Sequence, residues 1–230
     1  MIDQIRYLCF ELRPVCNMTD RHPWCPSSCR ELLPGPLIED STIEAFASAC
    51  TRRGFNGMIG FHYYSEPLLD IDRILAFMRR NLQYRYVLWT NGLLLTEASR
   101  EWLPEFHQVS ISLYSQQEAI RILPIINGLS NCVANDAPHD RRIDLYDADI
   151  LFQSPGGCIR PRTIELPIDA WGRVHLCCSD YDAHVDIASI VTDDHDYCIN
   201  RYLQEAQRAA VGQQTLCWKC RTIHSPCIGA

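Results

Sequence analysis

A cysteine pattern near the C-terminus constrains this chain more than any other feature of its sequence. The pattern consists of Cys158, Gly172, Cys177, Cys217 and Cys220. Thirteen residues separate its first cysteine from the glycine, four separate the glycine from the second cysteine, and the last two form a C-x-x-C turn. Residues 168–174, with the glycine near their centre, are typical of a β-hairpin. Since thiolates bind zinc and iron–sulfur clusters, the pattern predicts a four-thiolate metal site, with a closed zinc ribbon as the alternative.

Composition excludes several classes of protein. The 230 residues, 47% of them hydrophobic, suit one large domain or a domain with a subdomain. A net charge of −7 argues against nucleic-acid binding, which normally requires a basic surface. No apolar run reaches the ~18 residues of a membrane span, and the first six residues lack the order of a signal peptide. The 13 cysteines therefore predict metal-bound or free thiols in a reducing cytoplasm.

A second group of cysteines follows the first predicted strand, residues 7–12. Cys16, Cys25 and Cys29 lie in one loop, in which three prolines disfavour a helix. Three thiolates can bind three irons of a four-iron cluster and leave the fourth iron open for a ligand. The alternative is a set of structural thiols or a zinc site.

Strand and helix patterns alternate along the first two thirds of the chain. The predicted strands are residues 7–12, 57–64, 84–90, 109–114, 131–134 and 142–146, and the predicted helices are residues 39–53, 71–82, 96–103 and 116–123. This order predicts a parallel α/β sheet, and six units are too few for a closed eight-unit barrel. We therefore expect a partial (β/α)6 barrel over residues 1–150, followed by a small subdomain of a β-hairpin plus a helix over residues 151–230. The chemistry of such sheets lies at the C-terminal ends of the strands.

With these motifs, the chain resembles the radical S-adenosylmethionine (SAM) enzymes that carry a C-terminal twitch, or SPASM-like, subdomain. Phe61–Leu69 resembles the G-E-P-L segment that follows the second strand in this family, and Val87–Gly92 resembles its T-N-G segment. The C-terminal cysteine pattern resembles the twitch pattern for an auxiliary [4Fe-4S] cluster. The chain departs from the family in its first cysteine motif, where the gaps are eight and three residues, and in Tyr64 and Ser65, which replace two glycines.

The resemblance implies two [4Fe-4S] clusters and bound SAM. The SAM-binding cluster would be held by Cys16, Cys25 and Cys29, and the auxiliary cluster by Cys158, Cys177, Cys217 and Cys220. The SAM-binding residues would be Tyr64, Ser65, Glu66, Thr90, Asn91 and Ser112, with Glu66 or its backbone at the SAM amino group. The substrate pocket would include His62, Tyr63, Trp89 and Tyr146.

The resemblance also implies a reaction. Such an enzyme reductively cleaves SAM to a 5′-deoxyadenosyl radical, which takes a hydrogen atom from a small polar substrate: a sugar, aminocyclitol or nucleoside in the biosynthesis of a natural product such as an antibiotic. The auxiliary cluster would accept an electron, and an external flavodoxin-type or ferredoxin-type protein would supply one. Two alternatives stay open. One is radical sulfur insertion, including replacement of the ring oxygen of a nucleoside sugar by cluster sulfide, and the other is a non-enzymatic binding module stapled by zinc.

The remaining cysteines fall into two groups. Cys178, Cys198 and Cys227 lie in or near the C-terminal pattern and are alternative ligands, although packed or free thiols are the default. Cys9, Cys50 and Cys132 lie in apolar periodic segments and are predicted to belong to the core.

Overall fold

The computed structural model describes residues 2–22, 25–29, 32–136, 157–180 and 183–218, with side chains at all of these positions except Cys29 and Trp218. The strands are β1 Tyr7–Phe10, β2 Met58–Gly60, β3 Arg85–Thr90, β4 Gln108–Leu113, β5 Cys132–Asp136, β6 Glu165–Ile168, β7 Arg173–Val174 and β8 Ala188–Ser189. The α-helices are α1 Pro26–Cys29, α2 Asp40–Arg52, α3 Ile71–Arg80, α4 Gln116–Ile126, α5 Arg160–Thr163, α6 His195–Ala210 and α7 Thr215–Trp218. Short 3₁₀ turns cover Ile2–Gln4, Pro67–Asp70, Glu97–Glu101 and Leu103–Glu105.

The strands of the described residues form one open sheet of eight strands, in the order β5-β4-β3-β2-β1-β6-β7-β8. β1 to β5 are parallel and lie side by side in chain order. β6 is parallel to β1 on its other side, whereas β7 and β8 are antiparallel additions. The predicted α/β class is confirmed, and the open parallel sheet agrees with a partial barrel.

The helices bury the apolar faces that their periodicity predicted. The buried residues of α2 include Ile43, Phe46, Ala47 and Cys50, and those of α3 are Ile74, Leu75, Phe77 and Met78. Residues at this spacing share one side of a helix, and here that side packs into the common core with β1 to β4. The predicted core positions Cys9 and Cys50 are 3% and 1% exposed, and Cys132 is half-buried.

Two helical segments differ from the prediction. Pro124 was expected to end α4, but the helix continues to Ile126. Proline cannot donate to the carbonyl four residues earlier, which is that of Ile120. Ile120 is 69% exposed, so water can replace the missing donor and the helix survives for its last two residues. The cysteine loop was expected to lack helix, yet α1 forms one turn that starts at Pro26, a position where proline is well tolerated.

The charged run at residues 192–196 was expected to be a solvated loop, but its second half starts α6. The Asp194 side chain caps this helix by accepting a hydrogen bond from Tyr197 N at 3.0 Å. An aspartate at the N-cap and an acidic residue in the first turn both stabilise a helix N-terminus. The helix of the predicted subdomain therefore runs from His195 to Ala210.

The predicted hairpin is present as β6 and β7. Gly172 has φ +86° and its N–H donates to Asp169 O at 2.9 Å, which confirms the glycine turn. Because β6 pairs with β1, the hairpin extends the main sheet. The predicted strand at residues 142–146 and the predicted domain boundary at residue 150 lie outside the described residues, so the division into two domains stays a prediction.

Within the part of the chain that the structure describes, no helix combines the length and the apolar character needed to cross a bilayer.

Gly157 offers a test of how the start of the C-terminal segment packs on α6. It has φ +60°, and a Cβ atom there would lie 2.0 Å from Ala210 O. Gly157→Ala should lower the free energy of unfolding by about 1–2 kcal/mol for the left-handed backbone, and by about 1–3 kcal/mol more for overpacking. Gly128→Ala is the control, since Gly128 has φ +82° with nothing within 4 Å of its Cβ position. Urea unfolding of both variants measures the difference, and equal losses would mean that the contact with α6 relaxes freely.

Candidate functional site

The described residues line an open cavity of roughly 360 Å³. At one end it reaches the C-terminal ends of β3 and β4, through Thr90 and Ser112. At the other end it reaches the starts of β1 and β6, through Tyr7 and Glu165. The cavity therefore spans the region where a parallel α/β sheet normally binds its ligands.

Most of the residues predicted for the site line this one cavity. They are Cys16, Cys25, His62, Tyr64, Ser65, Glu66, Trp89, Thr90, Asn91 and Ser112. Tyr63 does not line it, Tyr146 lies outside the described residues, and the side chain of Cys29 is not described. The fold thus gathers the cysteine loop and the segments after β2, β3 and β4 around one space.

Glu66 joins the ends of β2 and β3. Its side chain is buried, with the residue 3% exposed, and Oε1 accepts hydrogen bonds from Thr90 Oγ1 at 2.6 Å and Leu68 N at 3.0 Å. Oε2 accepts a hydrogen bond from Asn91 N at 2.9 Å. Burial raises the pKa of Glu66, while the bonds from Asn91, Thr90 and Leu68 act to lower it. The carboxylate therefore fixes the Thr90–Asn91 turn at the rim of the cavity.

The cysteine loop is tied to the same turn. Glu66 N donates to Val15 O at 3.0 Å, and Asn91 Nδ2 donates to Asn17 Oδ1 at 2.7 Å. These bonds bracket Cys16, which lies between the two loop positions. Further along the loop, Arg21 forms an ion pair with Glu118 of α4. Hydrogen bonds and charge from Arg21, with N–H groups of the α4 N-terminus, outweigh burial and lower the pKa of Glu118.

The positions of the loop cysteines fit the SAM-binding cluster that the resemblance implies. Cys16 and Cys25 both line the cavity, beside Glu66 and Asn91. Cys25 is 4% exposed and directly precedes the one-turn helix α1, which ends at Cys29. Cysteine side chains that line one cavity are the donor set that an iron–sulfur cluster requires.

Two described cysteines of the C-terminal pattern, Cys158 and Cys217, lie near the C-terminal end of α6. Cys158 N donates to Ala209 O at 2.8 Å, and Cys217 follows shortly after the same end of the helix. Cys177 is 7% exposed and lies in the turn after β7. Within the described residues, no group of three or more His, Cys, Asp or Glu side chains is arranged to hold a metal ion. Each predicted ligand set includes one cysteine, Cys29 or Cys220, whose side chain is not described.

A buried polar network holds the turn that carries Cys177. His175 is fully buried, with Nε2 at 3.0 Å from Asp169 Oδ2 and Nδ1 in contact with Asp180 O. Burial would raise the pKa of Asp169, but hydrogen bonds and charges of His175 and Arg173 outweigh it and lower that pKa. Tyr63 joins this network by donating to Asp180 O at 2.9 Å. Tyr63, predicted for the substrate pocket, therefore faces the C-terminal segment.

The two adjacent cysteines of this turn have different surroundings. Cys178 lines the central cavity, whereas Cys177 does not. Burial raises the pKa of the Cys178 thiol, and the neighbouring Glu165 raises it further. Cys198, another alternative ligand, is fully buried in α6, and its thiol donates to Ser189 O at 3.6 Å.

Several lining residues were not among those predicted to bind SAM, a cluster or the substrate. Tyr114 follows β4 and contacts His22 of the cysteine loop, with the ring centroids 4.7 Å apart. Tyr114 ends the predicted strand at residues 109–114, so the expectation that the chemistry lies at the C-terminal strand ends already included it, although no role was assigned to it. Arg160 and Glu165 gave no such signal, because they reach the cavity only through the pairing of β6 with β1.

The chain is similar to one group of enzymes in sequence and in fold. The S-adenosyl-L-methionine-dependent 2-deoxy-scyllo-inosamine dehydrogenase of Niallia circulans is 21% identical over 238 residues, which cover 93% of this chain and 91% of the relative. The crystal structure of BtrN in complex with AdoMet and 2-DOIA matches with a TM-score of 0.73 at 19% identity, over 94% of this chain and 92% of BtrN. BtrN in an open conformation matches with a TM-score of 0.68 at 20% identity, over the same shares of both chains. A scan against protein-family models gave no match. The predicted resemblance is confirmed, and the chain has the fold of BtrN.

The acceptor role of Glu66 can be tested by Glu66→Gln. A glutamine has one carbonyl oxygen, so it cannot accept from both Leu68 N and Asn91 N, and a buried donor loses its partner. The free energy of unfolding should fall by about 1–3 kcal/mol. Glu97→Gln is the control, because it makes the same charge change on a side chain that is 79% exposed. Urea unfolding and hydrogen exchange at Asn91 N are the measurements, and equal stability of the two variants would show that the carboxylate is dispensable.

Proposed function

We propose that this chain is a radical SAM oxidoreductase that dehydrogenates a small polar substrate. One observation carries the proposal. A single cavity joins Cys16 and Cys25 to the Glu66 and Thr90–Asn91 segments, in a chain with the fold of BtrN. The similar enzyme of Niallia circulans is, by its name, a dehydrogenase of an aminocyclitol. The substrate class that we propose for this chain is therefore an aminocyclitol or a related cyclic polyol.

Cys16, Cys25 and Cys29 would hold the SAM-binding cluster. When bound, such a cluster supplies the electron that cleaves SAM and so generates the hydrogen-abstracting 5′-deoxyadenosyl radical. Asn17 and Val15 fix the loop against Asn91 and Glu66, so the backbone on both sides of Cys16 is held beside the cavity. Preorganised ligands of this kind lose little entropy when the cluster forms.

SAM would bind along the segments after β2, β3 and β4. Tyr64, Ser65, Thr90, Asn91 and Ser112 line the cavity there and present backbone groups, hydroxyls and an amide. The carboxylate of Glu66 already accepts three hydrogen bonds from the protein, so its main contribution is to position Thr90 and Asn91. His62 and Trp89, with ring centroids 5.7 Å apart, would exclude water from the reacting region.

Cys158, Cys177, Cys217 and Cys220 would hold an auxiliary [4Fe-4S] cluster. When bound, it would accept the electron that the substrate still has to lose after its hydrogen atom is removed. An external flavodoxin-type or ferredoxin-type protein would supply the separate electron that the reductive cleavage of SAM requires. The cysteine spacing and the position of Cys158 and Cys217 at one end of α6 support this assignment. The network of His175, Asp169 and Asp180 would keep the Cys177 turn in place for ligation.

The cysteine loop is tested by replacing Cys16, Cys25 and Cys29 with alanine. If these residues ligate the SAM-binding cluster, the variant should retain about four irons per chain, those of the auxiliary cluster, and lose SAM cleavage. The half-buried Cys132 provides the control, because Cys132→Ala removes a thiol outside both proposed sites. Anaerobic reconstitution, iron analysis and assay of 5′-deoxyadenosine are the measurements. Normal SAM cleavage by the triple variant would contradict the assignment of these three cysteines. A colourless wild-type protein that binds only zinc would contradict the proposal that the chain is a radical SAM enzyme.

The auxiliary site is tested by replacing Cys217 and Cys220 with alanine. Metal binding couples to folding, so the variant must first be shown to cleave SAM. We then expect deuterium from labelled substrate to enter 5′-deoxyadenosine while the oxidised product is absent. Normal product formation would mean that the auxiliary cluster is structural. Labelled cluster sulfide appearing in the product would instead favour sulfur donation over dehydrogenation.

A further inference from the structure

A charged pair lines the part of the cavity formed by α5 and β6, and in the sheet β1 and β2 lie between β6 and the strand that carries Thr90. Arg160 starts α5 and Glu165 starts β6, and Arg160 Nε donates to Glu165 Oε1 at 3.1 Å. Both side chains line the cavity and are partly buried, with side-chain exposures of 32% and 13%. Tyr7, opposite Glu165 in the sheet, and Ile164, its neighbour in the chain, line the same cavity, and the thiol of Cys178 lies close to the pair.

The position of the pair is fixed from several directions. Cys178 N donates to the same Glu165 Oε1 at 3.0 Å. The hydroxyl of Tyr202, a fully buried residue of α6, contacts the carbonyl oxygens of Pro161 and Glu165. Glu165 also lies opposite Tyr7 in the β1–β6 register. The backbone on both sides of the pair is therefore held by β1, α6 and the Cys178 turn.

A partly buried ion pair such as that of Arg160 and Glu165 contributes little to the stability of a fold. Removing two charges from water costs free energy that their attraction often fails to recover, and apolar residues of similar size are frequently as stable. In a ligand cavity, a few fixed polar groups instead set the orientation of the bound molecule. Arg160 supplies hydrogen-bond donors in a rigid plane, and Glu165 supplies an acceptor directly beside it.

From this geometry we propose that Arg160 and Glu165 are the substrate-recognition pair of this cavity, and that they bind adjacent hydroxyl groups of a small ring. One hydroxyl of a vicinal diol donates to Glu165 and its neighbour accepts from Arg160. The rings of Tyr7 and Trp89 pack edge to face, with their centroids 4.8 Å apart. Both residues line the same cavity and offer apolar surface to the C–H faces of the substrate ring. The inference rests on the proposed function and adds to it the residues that select the substrate.

The experiment compares Glu165→Gln and Arg160→Lys with wild-type protein carrying its clusters under anaerobic conditions. The binding probes are 2-deoxy-scyllo-inosamine, scyllo-inositol and a mono-ol, cyclohexanol. Calorimetric titration gives the dissociation constant of each probe, with and without SAM, and a separate titration gives that of SAM. Arg162→Lys is the matched control, since Arg162 lies on the same short helix and contacts Gln4 Oε1 at 3.3 Å.

Both variants should lose at least about tenfold in affinity for the cyclic polyols, because a hydrogen bond to a charged group is lost or misplaced. SAM affinity and the control should change by less than about twofold, and cyclohexanol should bind weakly to every protein. Unchanged polyol affinity in the two variants, or an equal loss in Arg162→Lys, would overturn the proposal. Wild-type protein that binds and cleaves SAM but binds no polyol would overturn it too, and would leave the proposed SAM chemistry standing. If Glu165→Gln fails to fold by circular dichroism, Arg160→Lys decides the question, since it retains the charge.

Discussion

Glu66 holds the site region together through both its side chain and its backbone. The carboxylate accepts from Thr90 and Asn91, so it joins the ends of β2 and β3. The backbone N–H donates to Val15 O, so it also holds the cysteine loop that follows β1. Three neighbouring strands of a parallel sheet thus converge on one residue. Because the residue is only 3% exposed, a donor lost from one segment leaves a largely buried acceptor with one partner fewer, so the three segments depend on one another.

The pairing of β6 with β1 gives the cavity its second wall. β1 has β2 on one side and would be an edge strand without β6, and the added strand brings the C-terminal segment against the barrel. Arg160, Glu165 and Cys178 reach the cavity by this route. An unpaired edge next to a binding site would also expose backbone donors and acceptors. The same pairing therefore completes the sheet and closes the site.

The part of the site that could be predicted from the sequence follows from one rule, that parallel strands carry their ligand-binding residues at their C-terminal ends. Glu66, Thr90 and Ser112 stand at or near the ends of predicted strands, where this rule and the family resemblance both place the SAM site, and all three line the cavity. The rule could not point to Glu165, which stands at the start of a strand and reaches the cavity because that strand pairs outside chain order. Nor could it choose between Cys177 and Cys178, since spacing alone treats adjacent cysteines nearly alike. Their different surroundings depend on the turn after β7 and its contacts with Tyr63 and Asp180.

Tyr63 and Glu66 give a physical link between the two proposed cluster sites. They stand three residues apart after β2, yet Tyr63 donates to Asp180 O in the turn of Cys177, and Glu66 fixes the loop of Cys16. The backbone between them, Tyr64 and Ser65, lines the cavity. A displacement of the Cys177 turn would therefore shift Tyr63, and the short buried segment would carry that shift to the cavity. Because close-packed interiors transmit strain with little compression, this segment couples the position of the Cys16 loop to that of the Cys177 turn.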